Sequence, residues 1–375
     1  FSHDIAAFIN SGLQVDCISL DFRKAFDTVS HNLLLLKLSY LNLPNTLLKW
    51  LEAYLLDRKQ RVILHGVRSS DVSVLSGVPQ GSVLGPLLFL IFINDLTERL
   101  SCRVKLYADD CCIYCEISSE SDSQLLQNDL NKIMSWCSTW NMTLNLSKCN
   151  LLRFTNKRHP LMANYVMNAT QLSLVTEYKY LGVIFSSNLT WNAHINYIVT
   201  KASNTLNFLR RNFKQAPASL KEILYMSNVR PLLEYACSTW DPFTKVNIDA
   251  LERVQLRAAR FVTGDYNFSK RSFEIRSTLG WPLLEDRRKF LRLSLFHKIF
   301  YSLTGIHKEN YISEPTYISA RTDHPVKVRE FATRINLFKY SFFPRSIKQW
   351  NKLPHEIVAA SRETFATALE HHILS

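Results

Sequence analysis

At 375 residues and 47% hydrophobic, the chain can bury a large core and has the length of roughly two to three domains. Its longest apolar run, VLGPLLFLIFI at 83–93, is far short of the ~18–20 residues that span a bilayer and contains Gly85 and Pro86, which excludes a membrane span there. The net charge of +13 is lopsided: residues 1–200 carry 17 basic against 16 acidic side chains, and residues 201–375 carry 28 against 16, so the second half has the character of a surface that follows a phosphate backbone or is simply solvated.

The opening FSHDIAAFIN has no initiator Met, basic flank or small-residue cleavage site, so it reads as part of a longer chain and not as a signal peptide. QVDCISLDF at 14–22 is a β-branched, apolar strand ending on Asp21, followed by a turn and a helix from about Asn32 with Ser30 as N-cap. A helix continues to about Leu56, DRKQ turns into the strand RVILHG, and SGVPQGSVLGPLLFLIFINDL gathers Gly77, Gly81 and Gly85 ahead of an apolar helix with Pro86 at its first position. A hairpin around Asp109 and Asp110 follows. Leu126, Leu130, Met134 and Cys137 then mark an amphipathic helix capped by Ser121 or Asp122. MTLNLSKCNLLRF and EYKYLGVIF add strands, giving a mixed layer built from antiparallel hairpins rather than repeated βαβ units. From about Thr200 the pattern is helical. In NIDALERVQLRAARFV an apolar stripe of Leu251, Val254, Ala258 and Phe261 lies beside a basic stripe of Arg253, Arg257 and Arg260, the expected nucleic-acid contacts. Beyond about Tyr301 the pattern is less legible. The eight cysteines show no paired metal-spaced doublets; Cys111, Cys112 and Cys115 read as small strand residues.

VKLYADDCCIYC sets two adjacent carboxylates between two strands. Like charges side by side are costly there unless a cation neutralises them. If the strand ending on Asp21 is a neighbour, three oxygen-rich groups form a hard-cation site suited to Mg²⁺ together with substrate phosphates. Two such ions are suited to clamping the attacking and leaving oxygens of a phosphoryl transfer. A hydrated Asp-rich turn is the plainer reading of a lone pair.

The ordered set LDFRKAFDTVSH, SGVPQGSVLGPLLFLIFINDL, KLYADD, LNLSKC and YKYLGV, from about Cys17 to Phe185, resembles the palm of reverse transcriptases, with wording similar to the non-LTR (LINE-type) retrotransposon enzymes. RPLLEYACSTWDP, RVQLRAARFVTG and SFFPRSIKQWNKLP resemble the region that follows the polymerase in such elements. The resemblance implies an α+β right-hand polymerase palm, an antiparallel sheet with helices on one side, followed by a mostly helical thumb and a C-terminal extension. The expected divisions are 1–200 for the palm, 201–300 for the basic thumb and 301–375 for the extension. Because Asp21 stands so near the start, the expectation is of a piece without the N-terminal fingers and endonuclease regions.

The resemblance also implies roles. Asp21, Asp109 and Asp110 bind two Mg²⁺ ions (Mn²⁺ being an alternative), Phe22 lends a metal its backbone carbonyl, and Lys148 sits near the pyrophosphate leaving group. Phe26 screens out a ribose 2′-OH, or only anchors the strand-to-helix turn. Asp27 caps a helix or supports the site. Gln80 touches the incoming nucleotide and the template, while Gly77 and Gly81 admit a nucleic-acid strand. Tyr180, Leu181 and Gly182 grip the primer. The implied activity is RNA-directed DNA synthesis on a template RNA from a DNA primer and deoxynucleoside triphosphates, inside the cell in nucleus or cytoplasm. A remnant that only binds nucleic acid, or an RNA-templated RNA polymerase, are the alternatives.

Overall fold

The structure, a computed structural model, describes residues 1–267, 272–319, 321 and 323–374. It divides into two compact units, Gly12–Leu181 and a second made of Phe1–Ser11 with Gly182–Ser375. The division expected near residue 200 thus falls at Leu181–Gly182, and helix α1 (Ser2–Asn10) packs with the later unit. The expected regions 201–300 and 301–375 include residues 268–271, 320, 322 and 375, which lie outside the described ones.

In the Gly12–Leu181 unit, β1 (Gln14–Leu20) lies inside a five-stranded sheet with β2 (Arg103–Tyr107), β3 (Asp110–Ile117), β4 (Asn150–Phe154) and β5 (Ser173–Val175), in the order β5-β4-β1-β3-β2. β1 is antiparallel to both β3 and β4, and β2 to β3; only the edge pair β4–β5 is parallel, residues 155–172 providing the long connection that a parallel pair needs. The antiparallel expectation holds apart from that edge. All seven residues of β1 are buried, as a central strand covered on both faces requires. Ile18 and Leu20, with Cys111, Ile113 and Leu151 of the neighbouring strands, face a helical layer. That layer comprises α2 (His31–Ser39), α3 (Asn45–Leu55), α4 (Leu84–Ile93) and α5 (Glu120–Thr139), which contribute Leu34, Leu51, Phe89, Phe92, Leu126 and Leu130. Each such burial contributes about 1.5–3 kcal/mol.

Several local expectations shift. α5 begins at Glu120, with Ser119 as N-cap in a capping box and Asp122 at its third position accepting from the Ser118 and Ser119 amides, so the cap lies two residues before Ser121. Pro86 is the third residue of α4, not the first. Ser30 occupies the N-cap of α2 without a side-chain cap, its backbone being bridged to Ser76. RVILHG is not one strand: Ile63–Leu64 and Val67–Arg68 form a small hairpin, and Lys59–Gln60 pairs with Val72–Ser73. The MTLNLSKCNLLRF strand narrows to β4, because Asn145–Cys149 form a turn.

Two polar clusters that no motif announced hold the helix side of the sheet. Asp16 is fully buried and accepts two bonds from the Arg153 guanidinium (2.8 and 2.9 Å), one from the Tyr165 hydroxyl (3.0 Å) and one from Gln14 Nε2 (3.1 Å). Lys37 Nζ sits 3.7 Å from the Trp140 ring centroid and 4.8 Å from that of Phe92, donating to Asp95 Oδ1 and the Phe92 carbonyl. Burial pulls the Lys37 ammonium below its usual range, opposed by Asp95.

The other unit is helical: after β7 (Val183–Ser186) come α6 (Asn192–Asn212), α7 (Ala218–Asn228), α8 (Lys245–Thr263), α9 (Leu284–Phe300), α10 (Phe342–Trp350) and α11 (Arg362–Leu374). Here β6 denotes Glu177–Tyr180, the last strand of the sheet unit. The predicted apolar stripe of α8 is buried throughout. The residues beyond Tyr301 join α9 in a core of Phe296, Phe343, Ile347, Trp350 and Phe365. Asp241 is buried; its carboxylate accepts from Arg288 (2.8 Å) and Arg292 and lies 3.1 Å from Arg345 Nη1, which donates to the Asp241 carbonyl (3.2 Å).

Breaking a buried ion pair leaves its other charge stranded, so Arg153→Met should lower the unfolding free energy by about 3–5 kcal/mol. Urea or guanidinium denaturation monitored by circular dichroism measures this, and a loss below about 1 kcal/mol would show that Asp16 finds enough compensation from Gln14 and Tyr165 alone.

Candidate active site

Asp21 stands immediately beyond β1, whose register pairs Leu20 with Cys111 of β3. Continuing that register by one step brings Asp21 opposite Asp110, and strand alternation puts both on the sheet face opposite the helices. β2 and β3 are joined by the two-residue turn Ala108–Asp109 between the paired Tyr107 and Asp110. Ala108 has φ 53°, a left-handed conformation that costs a non-glycine residue roughly 1–2 kcal/mol. The positions flanking the acids are thus fixed by sheet pairing and a tight turn. Half-buried Asp109 lies in the turn and Asp110 is exposed at the strand start.

The electrostatics match this grouping. The Asp110 carboxyl is held above the usual carboxylate range, by partial burial first and then by the negative charges of Asp109 and Asp21. Lys148 Nζ lies 3.9 Å from Asp21 Oδ2 with both side chains substantially solvated, a long ion pair of little stabilising value. Asp21 is anchored by its backbone: its amide donates to Cys149 Sγ (3.5 Å) and its carbonyl accepts from the Asn145 amide (2.7 Å). The Arg23 amide donates to the Thr143 carbonyl (2.7 Å), completing a bridge in which Phe22 opposes Leu144 and the Phe22 carbonyl takes no part.

Among the described residues no group of three or more His, Cys, Asp and Glu side chains is arranged to hold a metal ion by itself. The donor set nevertheless fits a hard divalent cation of the Mg²⁺ type, which takes one or two carboxylates and completes its shell with water and substrate phosphate. The mutual repulsion recorded at Asp110 is the charge such a cation relieves.

The VPQG loop docks beside the same strand end. The Val78 amide donates to the Phe26 carbonyl (2.8 Å), the Gly77 amide to the Val29 carbonyl (2.8 Å) and Ser76 Oγ to the Asp27 carbonyl (2.8 Å). Gly77 has φ 88°, and a Cβ there would lie 2.8 Å from the Asp27 Cα and carbonyl oxygen. The glycine expected to admit a nucleic-acid strand is therefore already filled by the chain's own backbone, which corrects that reading for Gly77. Gly81 differs: its φ is 80° and nothing lies within 4 Å of a Cβ. Gln80 is exposed and donates to Asp27 Oδ1 (2.8 Å), so Asp27 orients Gln80 instead of capping a helix with its side chain. The half-buried Phe26 ring stacks on Phe89 with centroids 4.4 Å apart.

Tyr178 and Tyr180 of β6 reach the same sheet face as Asp21 and Asp110. Tyr178 hydrogen-bonds Ser19 and lies within the field of Asp110 and Asp21, while Tyr180 donates to Cys112; burial first raises both phenols, the bond to Ser19 opposing the rise at Tyr178 and Cys112 adding to it at Tyr180. Leu181 and Gly182 follow with φ 47° and 81°, the left-handed pair of a type I′ turn. A Cβ on Gly182 would meet the Tyr235 ring at 3.0 Å, so that close approach belongs to a side chain of the chain itself. Sequence reasoning missed Tyr178, although the alternation in EYKY puts it on the face of Tyr180. It also missed His31, whose Nε2 bonds the Gly77 carbonyl at 2.9 Å.

The basic stripe of α8 is less free than its periodicity suggests. Arg253 is exposed and donates to the Asp249 carbonyl (3.2 Å) of its own helix, but Arg257 donates to Asn207 Oδ1 (2.9 Å) and Ser203 Oγ (3.3 Å) on α6, and Arg260 is half-buried. Helix packing, not solvent, receives part of that face.

A carboxyl whose folded-state pKa is raised favours the native state when protonated and opposes it when ionised. Asp110 should therefore cost stability as pH rises through and above the usual carboxylate range. Asp110→Asn should raise Tm at pH 7 relative to the parent and narrow that gain toward pH 4, and millimolar Mg²⁺ should raise the parent's Tm more than the variant's. Thermal melts with and without Mg²⁺ check this, and a Tm gain independent of pH would mean that the substitution acts through packing.

Residues 10–185 match the family described as reverse transcriptase (RNA-dependent DNA polymerase). The chain is 31% identical over 257 residues to the "Probable RNA-directed DNA polymerase from transposon X-element" of Drosophila melanogaster, covering 65% of this chain and 28% of that protein. It is 30% identical over 284 residues to the RNA-directed DNA polymerase from mobile element jockey of Drosophila funebris, covering 72% and 30%. Among solved structures, apo telomerase from Candida tropicalis aligns at 11% identity and a TM-score of 0.41, covering 74% of this chain and 45% of that one. The chain spans less than a third of the length of the two transposon relatives. No helix among the described residues is long and apolar enough to cross a membrane. With its sheet, its carboxylate turn and these relatives together, residues 10–185 of the chain belong to the reverse transcriptase family, alongside the RNA-directed DNA polymerases of non-LTR retrotransposons.

Proposed function

We propose that the chain carries out RNA-templated DNA synthesis, joining a deoxynucleotide to a primer 3′-OH, with Asp21, Asp109 and Asp110 as its acidic centre. The observation that carries this reading is the meeting of the β1 end with the Ala108–Asp109 turn, where Asp110 feels both other carboxylates. Asp21 and Asp109 are the principal cation ligands, Asp110 the third acid, and the Phe22 carbonyl an additional oxygen donor. Two Mg²⁺ ions, or Mn²⁺, bound there supply the charge that stabilises the attacking and leaving oxygens.

The chain's own residues then have separable tasks. Lys148, already beside Asp21, is suited to offset charge on the departing pyrophosphate. Gln80, held by Asp27, presents its amide to the incoming nucleotide or template. Gly81 leaves open space above a left-handed backbone where such a ligand can approach. Tyr180, Leu181 and Gly182 position the primer strand, with Tyr178 added to them by its bond to Ser19. Template RNA, DNA primer and deoxynucleoside triphosphates are the partners, and the site of action is inside the cell, in nucleus or cytoplasm. The helical unit serves as the basic thumb, with Arg253 and Arg260 as its α8 contacts and Arg257 held mainly by its bonds to α6.

Primer extension on an RNA template with Mg²⁺ tests the assignment, for this chain and for a form extended at its N-terminus. Extension should occur, and Asp109→Asn should reduce it to roughly a hundredth or less while the circular dichroism spectrum is unchanged. Substantial synthesis by the substituted protein would remove the acidic centre from the mechanism. Salt-dependent binding without any extension would favour a protein that only holds nucleic acid.

Phe26→Ala separates sugar selection from packing. If the ring screens the 2′-OH, kcat/KM for a ribonucleotide should rise relative to the matched deoxynucleotide, whose own value changes little, because the lost discrimination is steric. If the stack on Phe89 is the ring's whole role, both substrates should slow together and Tm should fall.

A further inference from the structure

Within the helical unit, a cavity of about 510 Å³ opens where three helices end or begin. Arg210 and Arg211 come from the last turn of α6 and Lys214 from just beyond it. Lys221 comes from the first turns of α7, and Phe261 and Tyr266 from the end of α8 and the chain after it. None of the residues lining it is acidic, and none of the four cations is paired with a carboxylate among the described residues. We propose that this cavity is a binding site for single-stranded nucleic acid, in which the four cations hold backbone phosphates and an unpaired base stacks on Tyr266.

The placement of the charges points to an anion. A cation near a helix C-terminus is stabilised by the helix dipole, which accounts for Arg210 and Arg211. Lys221 is at the opposite kind of position, close to the positive start of α7, and is held there 5.3 Å from the ring centroid of the buried Phe261. A lysine fixed against the local dipole beside three other cations is stabilised when a phosphate shares the cavity.

The aromatic group points to an unpaired strand. Gly264, with φ 70°, closes α8 in a left-handed cap and turns the chain so that Tyr266 comes to lie 5.8 Å from the Arg210 guanidinium, ring centroid to Cζ. Tyr266 remains 46% exposed, so a ring face is available to a ligand. Cationic grooves combined with exposed aromatics are the usual means of holding single strands, because a base in a duplex has no free face to stack. A cavity of this size admits a single nucleotide. The proposal is independent of the acidic centre, since the whole cavity is carried by the helical unit.

The test is fluorescence anisotropy without Mg²⁺ or nucleotides, using fluorescein-labelled oligo(dT) of about twelve nucleotides, an abasic strand of equal length and a duplex of equal length. The affinity that depends on Tyr266 should appear with oligo(dT) and be absent with the abasic strand and the duplex. Tyr266→Ala should weaken oligo(dT) about tenfold and leave the abasic strand unaffected, because only stacking is lost. Lys214→Ala combined with Lys221→Ala should weaken both single strands and reduce the slope of log K against log salt by about 0.7 for each phosphate contact removed. These residues are on the surface or its edge, and an unchanged melting curve confirms that the variants fold. Equal effects of Tyr266→Ala on oligo(dT), the abasic strand and the duplex, or an unaltered salt slope in the double lysine variant, would overturn the proposal. Such a failure leaves the polymerase reading standing, because primer extension depends on Asp109 and is measured separately.

Discussion

The antiparallel pairing of β1 with β3 is the constraint on which the candidate active site depends. One residue of register decides whether Asp21 meets Asp110 on the face away from the helices or turns into the helical core, because successive side chains alternate faces. The register is secured from both sides. On the helix face Ile18 and Leu20 join Ile113 and Leu151 in one apolar layer, and Asp16 is locked to Arg153 on β4. A slip would bury Ser19 and Asp21 in that layer and expose the apolar set, a combination no compensating contact could offset.

The acidic group therefore has an energetic character opposite to that of the Asp16 cluster. Asp16 is buried yet satisfied by four donors, and it stabilises the sheet. Asp21, Asp109 and Asp110 are repelled by one another and, among the described residues, have the long Lys148–Asp21 contact as their ion pair, so they destabilise the unliganded state slightly and are poised for a cation. The left-handed Ala108 adds local backbone strain at the same turn. Strain and like-charge repulsion gathered at one point, against a rigid buried strand, mark a site built for binding more than for stability.

Much of this was legible in the sequence. The strand ending on Asp21, the carboxylate turn, the apolar stripe of α8 and the helical character after residue 200 all follow from alternation, turn chemistry and 3.6-residue periodicity, which are local signals. What was not legible depends on partners distant in sequence. Gly77 looked like a place for a ligand until Asp27 occupied it, and Arg257 looked solvent-facing until α6 supplied Asn207. Periodicity tells which residues share a face of a helix, but not what the face meets. The Lys37 cage is the clearest case: a lysine amid leucines gives no hint that Trp140, Phe92 and Asp95 will surround it. The start of α5 was misplaced by two or three residues because SSESDS offers several serines and acids able to cap; the structure uses the local capping box of Ser119 with Asp122, a spacing the sequence already displays.

The assignment of α1 to the helical unit has a consequence for how the chain folds. His3 lies among Tyr311, Phe331 and Phe343, and Asn10 accepts from the backbone amides of Arg334 and Ile335, so these first residues complete a core built mainly by the end of the chain. The entire sheet unit, residues 12–181, is then a loop closed between two parts of its neighbour. Closing a flexible loop of that length costs about 4–5 kcal/mol of chain entropy, whereas a folded insert whose ends are already fixed imposes far less. A route in which the sheet unit, continuous in sequence, forms before α1 docks avoids most of that cost.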